Sequence, residues 1–319
     1  MAQVLVLLSM PETVRMQYHD RIKAKFPELT VNVVDHHSKV EPYIDSADIL
    51  MTFGPMMSER VLEKAANLKW IQALGTGVDG IADRASLGKD VIITNLHGVH
   101  GPPVSEAAFM SMLALSRQLP RSVRNQAAHV WDRFPARLLK DKTVGIFGIG
   151  VIAEELAPKC KAFGMKVVGI SSAKRDVAGF DVVHAREELG AAVRGLDYLV
   201  LLTPFSSATQ NSVDANVLAA MKPSAYLINL ARGGVVDEVA LIDALRNKRI
   251  AGAALDVFSQ EPLPPDHPFW DMENVIITTH QGGFCDVYIN FAMPVIEQNL
   301  RTFLAGDTAS MINLVRRPA

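Results

Sequence analysis

Long apolar runs, paired cysteines and blocks of like charge are all scarce in this chain of 319 residues. The apolar run near its start, Val4 to Leu8, is too short for a signal-peptide core and carries no basic leader or cleavage site. Nothing later approaches the roughly 18 to 20 uninterrupted apolar residues of a membrane span, so a cytoplasmic protein is expected. Cys160 and Cys285 lie far apart without CxxC or zinc-type spacing, which argues against a disulfide framework and against a metal site. Formal net charge is -2, without the basic field of a general nucleic-acid binder, so the expected partners are small molecules. Internal repeats and low-complexity tracts are missing too.

What the chain does have is apolar residues: 49% of the composition is hydrophobic, over a length that suggests about two domains. Short β-branched runs alternate with amphipathic stretches of helix length: VLVLLS, Thr13 to Phe26, VNVVD, DILMTF, Ser58 to Ala66, KWIQAL and VIITN. This is the rhythm of a parallel sheet. Gly98, Gly101, Pro102 and Pro103 then read as a crossover loop, followed by a buried helix from Val104 to Arg117, whose apolar residues nearly fill every face. From Lys142 the rhythm restarts as TVGIF, a helix Val151 to Phe163, MKVVGI, YLVLLT, AYLINLA, a helix Glu238 to Asn247, GAALDVF and VIITT, the pattern of a doubly wound nucleotide-binding domain. A last helix, Asp286 to Leu304, is expected to return to the first domain.

Gly148-Ile149-Gly150-Val151-Ile152-Ala153 follows a strand and opens a helix, where a dinucleotide needs it. Gly148 permits the tight turn, Gly150 admits the pyrophosphate, and Val151 and Ile152 start the helix whose N–H groups face that charge. Ala153 replaces the third glycine at a packing position that tolerates alanine. About 20 residues on, NAD sites place an acid for the ribose 2′-hydroxyl. Ser171 and Ser172 stand there instead, with Lys174 and Arg175 behind them, chemistry suited to a 2′-phosphate. NADP(H) is therefore favoured over NAD(H), against the alternative of an ordinary solvated loop with two cations.

Downstream lie Arg232 in INLARGGVVDE, Glu261 in ALDVFSQEPLP and His280 in VIITTHQGG. Reduction of a 2-oxo acid needs a hydride donor, a fixed carboxylate and a proton for the developing alkoxide. An imidazole titrates near working pH, a neighbouring carboxylate favours its protonated form, and a guanidinium fork can take the carboxylate and the carbonyl oxygen together. Taken singly, His280 reads as a satisfied polar residue, Arg232 as a surface cation and Glu261 as a strand end. Their joint occurrence behind a nucleotide loop points to catalysis.

The runs LKWIQALGTGVDGI, VSEAAFMSMLALSR, TVGIFGIGVIAEELA, LLTPFSSATQNSVD, MKPSAYLINLARGGVVDEVALIDAL, GAALDVFSQEPLP and VIITTHQGG together resemble the D-isomer-specific 2-hydroxyacid dehydrogenase family over nearly the whole chain. The resemblance implies an α/β fold of two Rossmann-like doubly wound parallel-sheet domains. A nucleotide-binding domain, 99–284, is inserted into a substrate domain formed by 1–98 and 285–319, with a cleft between them and usually a homodimer. It implies Arg232 as substrate-binding arginine, His280 as acid/base and Glu261 as its partner. It also places Thr203, Pro204, Ala231, Asp256 and Gly282 around the cofactor. Thr76, Gly77 and Val78, in the loop that begins at Gly75, would hold the substrate carboxylate. Thr279 departs from the pattern, in which a proline commonly precedes the histidine.

The implied activity is interconversion of small 2-oxo acids of the glyoxylate or hydroxypyruvate type and D-2-hydroxy acids. The alternatives are a phosphoglycerate, sugar-acid or oxyanion dehydrogenase on the same scaffold, and an NAD(H)-sensing corepressor. A corepressor is expected to carry long extensions and phosphoglycerate enzymes commonly an added domain, so both are ranked behind the small 2-oxo acids. Phe53 and Gly54, with Met56 and Met57, follow a strand expected to end near the substrate's third carbon, or else form a turn packed by methionines. Of the remaining residues, His97 and His100 read as hinge rather than ligands, His36 and His37 as a solvated turn, Cys285 as packing, and Trp131 as packing rather than a dimer arm.

Overall fold

The structure is a computed structural model and describes residues 1–316. The chain divides into two compact units, one formed by Met1–Val99 with Asp286–Ala319, the other by His100–Cys285. The second is thus inserted in the first, each junction falling one residue later than the sequence reading.

In chain order the first unit contributes β1 (Gln3–Leu7), β2 (Thr30–Val34), β3 (Ile49–Thr52), β4 (Trp70–Ala73) and β5 (Ile92–Thr94). The second contributes β6 (Thr143–Phe147), β7 (Lys166–Ser171), β8 (Val182–Ala185), β9 (Tyr198–Leu201), β10 (Tyr226–Asn229), β11 (Gly252–Leu255) and β12 (Val275–Ile277); β13 (Leu314–Arg316) returns to the first. The first sheet runs β13-β5-β4-β3-β1-β2, with β1 to β5 parallel and β13 antiparallel at the edge. The second runs β12-β11-β10-β9-β6-β7-β8 and is parallel throughout. Both are doubly wound, and each reverses strand order beside its own first strand, where such sheets bind ligands.

The central strands are β-branched and leucine-rich because helices cover both their faces. Val4 to Leu7, Ile49 to Met51 and Leu199 to Leu201 are fully buried. In the first unit the returning helix Tyr288–Leu304 is pinned by Asn299, which pairs with both backbone groups of Ile312 (2.8 and 3.1 Å) and with Gln72 Oε1 at 3.3 Å. Buried amides of this kind are kept only where every partner is present.

Several elements differ from the sequence reading. Pro102 and Pro103 lie in the first turn of the helix Gly101–Ser116 rather than in a loop, because that turn lacks intrahelical N–H partners and proline forfeits nothing there. The same helix is not buried on every side: Glu106 and Met110 face outward, as does Arg117 at its C-terminal cap. The edge strands β8 and β13 were not anticipated; VVHA and LVR are short and only partly buried, so they show no clear periodicity. A helix Leu119–Ala127 follows the crossover helix, and beyond it Trp131 is 93% exposed, so the packing role expected for it is wrong. It sits in an extended segment held to that helix by polar contacts, Val130 N–H to Asn125 (2.8 Å) and Arg121 to Asp132 (2.5 Å).

Candidate active site

The ends of β10, β11 and β12 are level: Asn229 pairs with Leu255, and Leu255 with Ile277. Arg232, Asp256 with Glu261, and His280 therefore follow three neighbouring strands out of the same edge of the sheet, the carboxyl edge where doubly wound sheets carry their chemistry.

Two close approaches assemble the cluster. Gly233 follows Arg232, and a Cβ there would stand 1.9 Å from the Phe258 carbonyl carbon, so only glycine lets the β10 loop lie on the β11 loop. Glu261 then folds back, accepting the Phe258 N–H at 2.9 Å with Oε1, while Oε2 meets His280 Nδ1 at 2.6 Å. Burial alone would push the Glu261 carboxyl upward. The hydrogen bonds from His280 and Phe258, with the charges of His280 and Arg232, outweigh it and hold the group below the usual carboxylate range. Stabilisation from these contacts is thus present above the ordinary carboxylate value and is lost only as pH falls through the lowered one. Arg232 Nη1 donates to the Ala231 carbonyl at 2.7 Å, while Ala231 itself is buried.

His280 takes a left-handed backbone, φ 52°, which costs a residue with a Cβ free energy unless its surroundings hold it there. Asp256 supplies that hold. Its carbonyl accepts the His280 N–H (2.8 Å), and its buried carboxylate accepts the Thr278 hydroxyl (2.5 Å), the Gln281 N–H (3.0 Å) and the Gly282 N–H (2.9 Å). Asp256 and Gly282, which the sequence reading places at the cofactor, are bonded to each other, and Asp256 anchors the loop that carries His280. Thr278, Gln281 and Gly233 belong to this assembly and escaped sequence reasoning, because their roles depend on contacts between strands.

At the other side of the sheet's reversal, Gly148 has φ 103°, and a Cβ there would lie 2.5 Å from the Thr203 nitrogen. The glycine loop is therefore seated on the backbone of Leu202 and Thr203, just past the end of β9. Around Gly150 a Cβ would find nothing within 4 Å, and the helix Val151–Ala162 opens from it with no side-chain cap. Ala153 is fully buried in the core, the packing role assigned to the third loop position. This cradle, open at Gly150 and presenting uncapped N–H groups of Val151 and Ile152, fits a dinucleotide pyrophosphate.

Ser171 ends β7 and Ser172 follows it, with Lys174 and Arg175 just beyond. Lys174 is not waiting for a ligand: its Nζ lies 2.7 Å from Glu188 Oε1. Arg175 donates to the Ile149 carbonyl of the glycine loop at 3.2 Å. Glu188 is the residue that sequence reasoning missed here, because it arrives from the next strand.

Phe53, Gly54, Thr76, Gly77 and Val78 lie in the first unit. Phe53 packs over Gly75, and Gly54 lies against the backbone of Asp79, so the loops after β3 and β4 form one surface. Arg84 braces it, donating to the Gly80 and Met57 carbonyls at 2.9 and 3.0 Å and facing Glu59 at 3.8 Å. Among the described residues no group of three or more histidine, cysteine or acidic side chains could hold a metal, and no helix is long and apolar enough to cross a membrane.

Residues 109–282 match the model of the D-isomer specific 2-hydroxyacid dehydrogenase NAD binding domain. That match spans more than half of the chain, which belongs to the D-isomer specific 2-hydroxyacid dehydrogenase family. It is similar to a solved family protein from Aeromonas salmonicida, with 34% identity, a TM-score of 0.88 and 98% of each chain covered. It is also similar to an NADPH-dependent glyoxylate/hydroxypyruvate reductase from Sinorhizobium meliloti, solved with NADP and sulfate (28% identity, TM-score 0.83, 99% of this chain and 98% of that one). A D-3-phosphoglycerate dehydrogenase of Methanocaldococcus jannaschii is 33% identical over 279 residues, 86% of this chain. The chain spans about half the length of that relative, 53%.

Proposed function

We propose that the protein is an NAD(P)-dependent oxidoreductase that interconverts small 2-oxo acids and D-2-hydroxy acids, with His280 as acid/base. The observation that carries this reading is the 2.6 Å contact between His280 and Glu261, made at the strand edge where the Arg232 charge also acts. A bound nicotinamide supplies or accepts the hydride. Arg232 offers a planar fork for the substrate carboxylate and carbonyl oxygen. During reduction His280, protonated and held by Glu261, gives its proton to the developing alkoxide; during oxidation the neutral ring takes it back. Asp256 keeps the ring in place without touching the reacting atoms.

We assign Phe53, Gly54, Thr76, Gly77 and Val78 to the substrate, and the edge at Ser171, Ser172, Lys174 and Arg175 to the adenosine ribose, with NADP(H) favoured. The glyoxylate or hydroxypyruvate reading is preferred because Arg84, the cation bonded to the loops after β3 and β4, is already committed to carbonyls and to Glu59. A phosphorylated substrate would need a cation there. The second reading, phosphoglycerate, rests on the names of the curated relatives. A homodimer is proposed from Met110, Leu119, Val123, Trp131 and Phe163, exposed apolar residues of the second unit, several of them lining one hollow of about 690 Å³.

Steady-state kinetics with glyoxylate, hydroxypyruvate and 3-phosphoglycerate, each with the NADP and the NAD couple, test these assignments. Turnover of the two small 2-oxo acids, above all with NADPH, is the expected result. Turnover of 3-phosphoglycerate alone would replace the first reading by the second, and no turnover of any 2-oxo acid with His280 intact would defeat both.

A further inference from the structure

β7 and β8 end in register, Ser171 opposite Ala185. Beyond those ends, a cation from the first strand's loop and an acid from the second's meet as Lys174 and Glu188, 2.7 Å apart. The acid is well anchored: Glu188 Oε2 accepts the Ala185 N–H at 3.1 Å and lies 3.5 Å from His184 Nδ1. The cation is not, with most of its side chain exposed. Lys174 is thus tied to Glu188 across the edge that receives the ribose in the proposed function, on which this inference rests.

A 2′-phosphate brings about -1.5 to -2 charges to that edge and seeks cations, whereas a 2′-hydroxyl brings none. To reach Lys174 the phosphate must displace a carboxylate fixed beside it. We infer that Glu188 is a cofactor-specificity determinant: it competes with the 2′-phosphate for Lys174 and so restrains the preference for the phosphorylated nucleotide. A 2′-hydroxyl needs no such displacement, so NAD⁺ binding is indifferent to the pair. Glu188→Gln keeps an oxygen acceptor for the Ala185 N–H and removes only the charge.

Calorimetric affinities of NADP⁺ and NAD⁺ for the intact protein, without substrate or turnover, test this. Glu188→Gln should tighten NADP⁺ about two- to fivefold, the range of an exposed ion pair, and leave NAD⁺ within about twofold. In a Lys174→Met background the gain should vanish, since the cycle isolates the coupling between the two side chains. If Lys174→Met weakens NADP⁺ but Glu188→Gln changes neither nucleotide, the inference fails and the ribose edge stands. If Lys174→Met leaves NADP⁺ untouched, the assignment of Lys174 falls and takes the inference with it. Equal tightening of both nucleotides by Glu188→Gln would also overturn it, as a general charge effect.

Discussion

The two ends of the second sheet are built to different standards. At β10 to β12, His280 is held by a buried carboxylate with three donors, a backbone hydrogen bond and a 2.6 Å contact to Glu261. Beyond the ends of β7 and β8, Lys174 is mostly exposed and meets Glu188 in a surface ion pair. Proton transfer tolerates little displacement, so its groups rest on buried hydrogen bonds, each expensive to leave unmade. Nucleotide choice is a difference between two affinities and can be set by exposed charges that a single substitution retunes. On the proposed function, the edge at β10 to β12 is a rigid catalytic edge and the edge at β7 and β8 an adjustable recognition edge.

The largest effects should come from breaking the rigid edge. Arg232→Ala and His280→Ala are each expected to lower kcat/KM for glyoxylate by about two to three orders of magnitude, the scale of a lost transition-state donor. A near wild-type value for either would remove it from the chemistry. Next comes Asp256→Asn, which leaves the shape and substitutes an N–H₂ for one acceptor oxygen. It should cost about 1 to 3 kcal/mol of stability and lower kcat more than it raises KM, because the His280 loop loosens while the Arg232 fork stays. Thermal unfolding with kinetics on the same sample checks both parts; a change confined to KM would return Asp256 to a nucleotide contact.

Effects at the adjustable edge should be smaller and selective. The two- to fivefold gain in NADP⁺ affinity for Glu188→Gln belongs here, and a change of some hundredfold would mean that this edge is as tightly built as the other. Trp131→Ser is expected to weaken self-association with little effect on unfolding temperature, since the side chain is 93% exposed. Sedimentation at a series of concentrations reads it, and unchanged self-association would exclude Trp131 from the interface.

How much of this was legible in the sequence follows the same division. The central strands of both sheets and the glycine loop announce themselves in contiguous runs, the insertion of the second unit follows from the family resemblance, and Arg232, Glu261 and His280 each carry a distinctive local setting. The supporting groups do not. The resemblance places Asp256 and Gly282 at the cofactor, but the hold of Asp256 on the His280 loop emerges only when the chain brings Thr278, Gln281 and Gly282 back to it, and Glu188 has no sequence signal until β8 is laid beside β7. β8 and β13 themselves lie at sheet edges, where half-solvated short strands keep no strict alternation. Trp131 was misjudged because a large aromatic is usually buried, and only the path of the segment after the helix Leu119–Ala127 shows otherwise.

The claim on which the rest depends is that Glu261 sustains the protonated form of His280 as proton donor. The pH dependence of kcat/KM for glyoxylate reduction, compared between the wild-type protein and Glu261→Gln, measures it. Loss of the carboxylate removes the partner that favours the imidazolium, so the alkaline limb should move to lower pH in the variant, with activity lost as pH rises. Superimposable profiles would show that the 2.6 Å contact plays no part in proton transfer and would contradict the account.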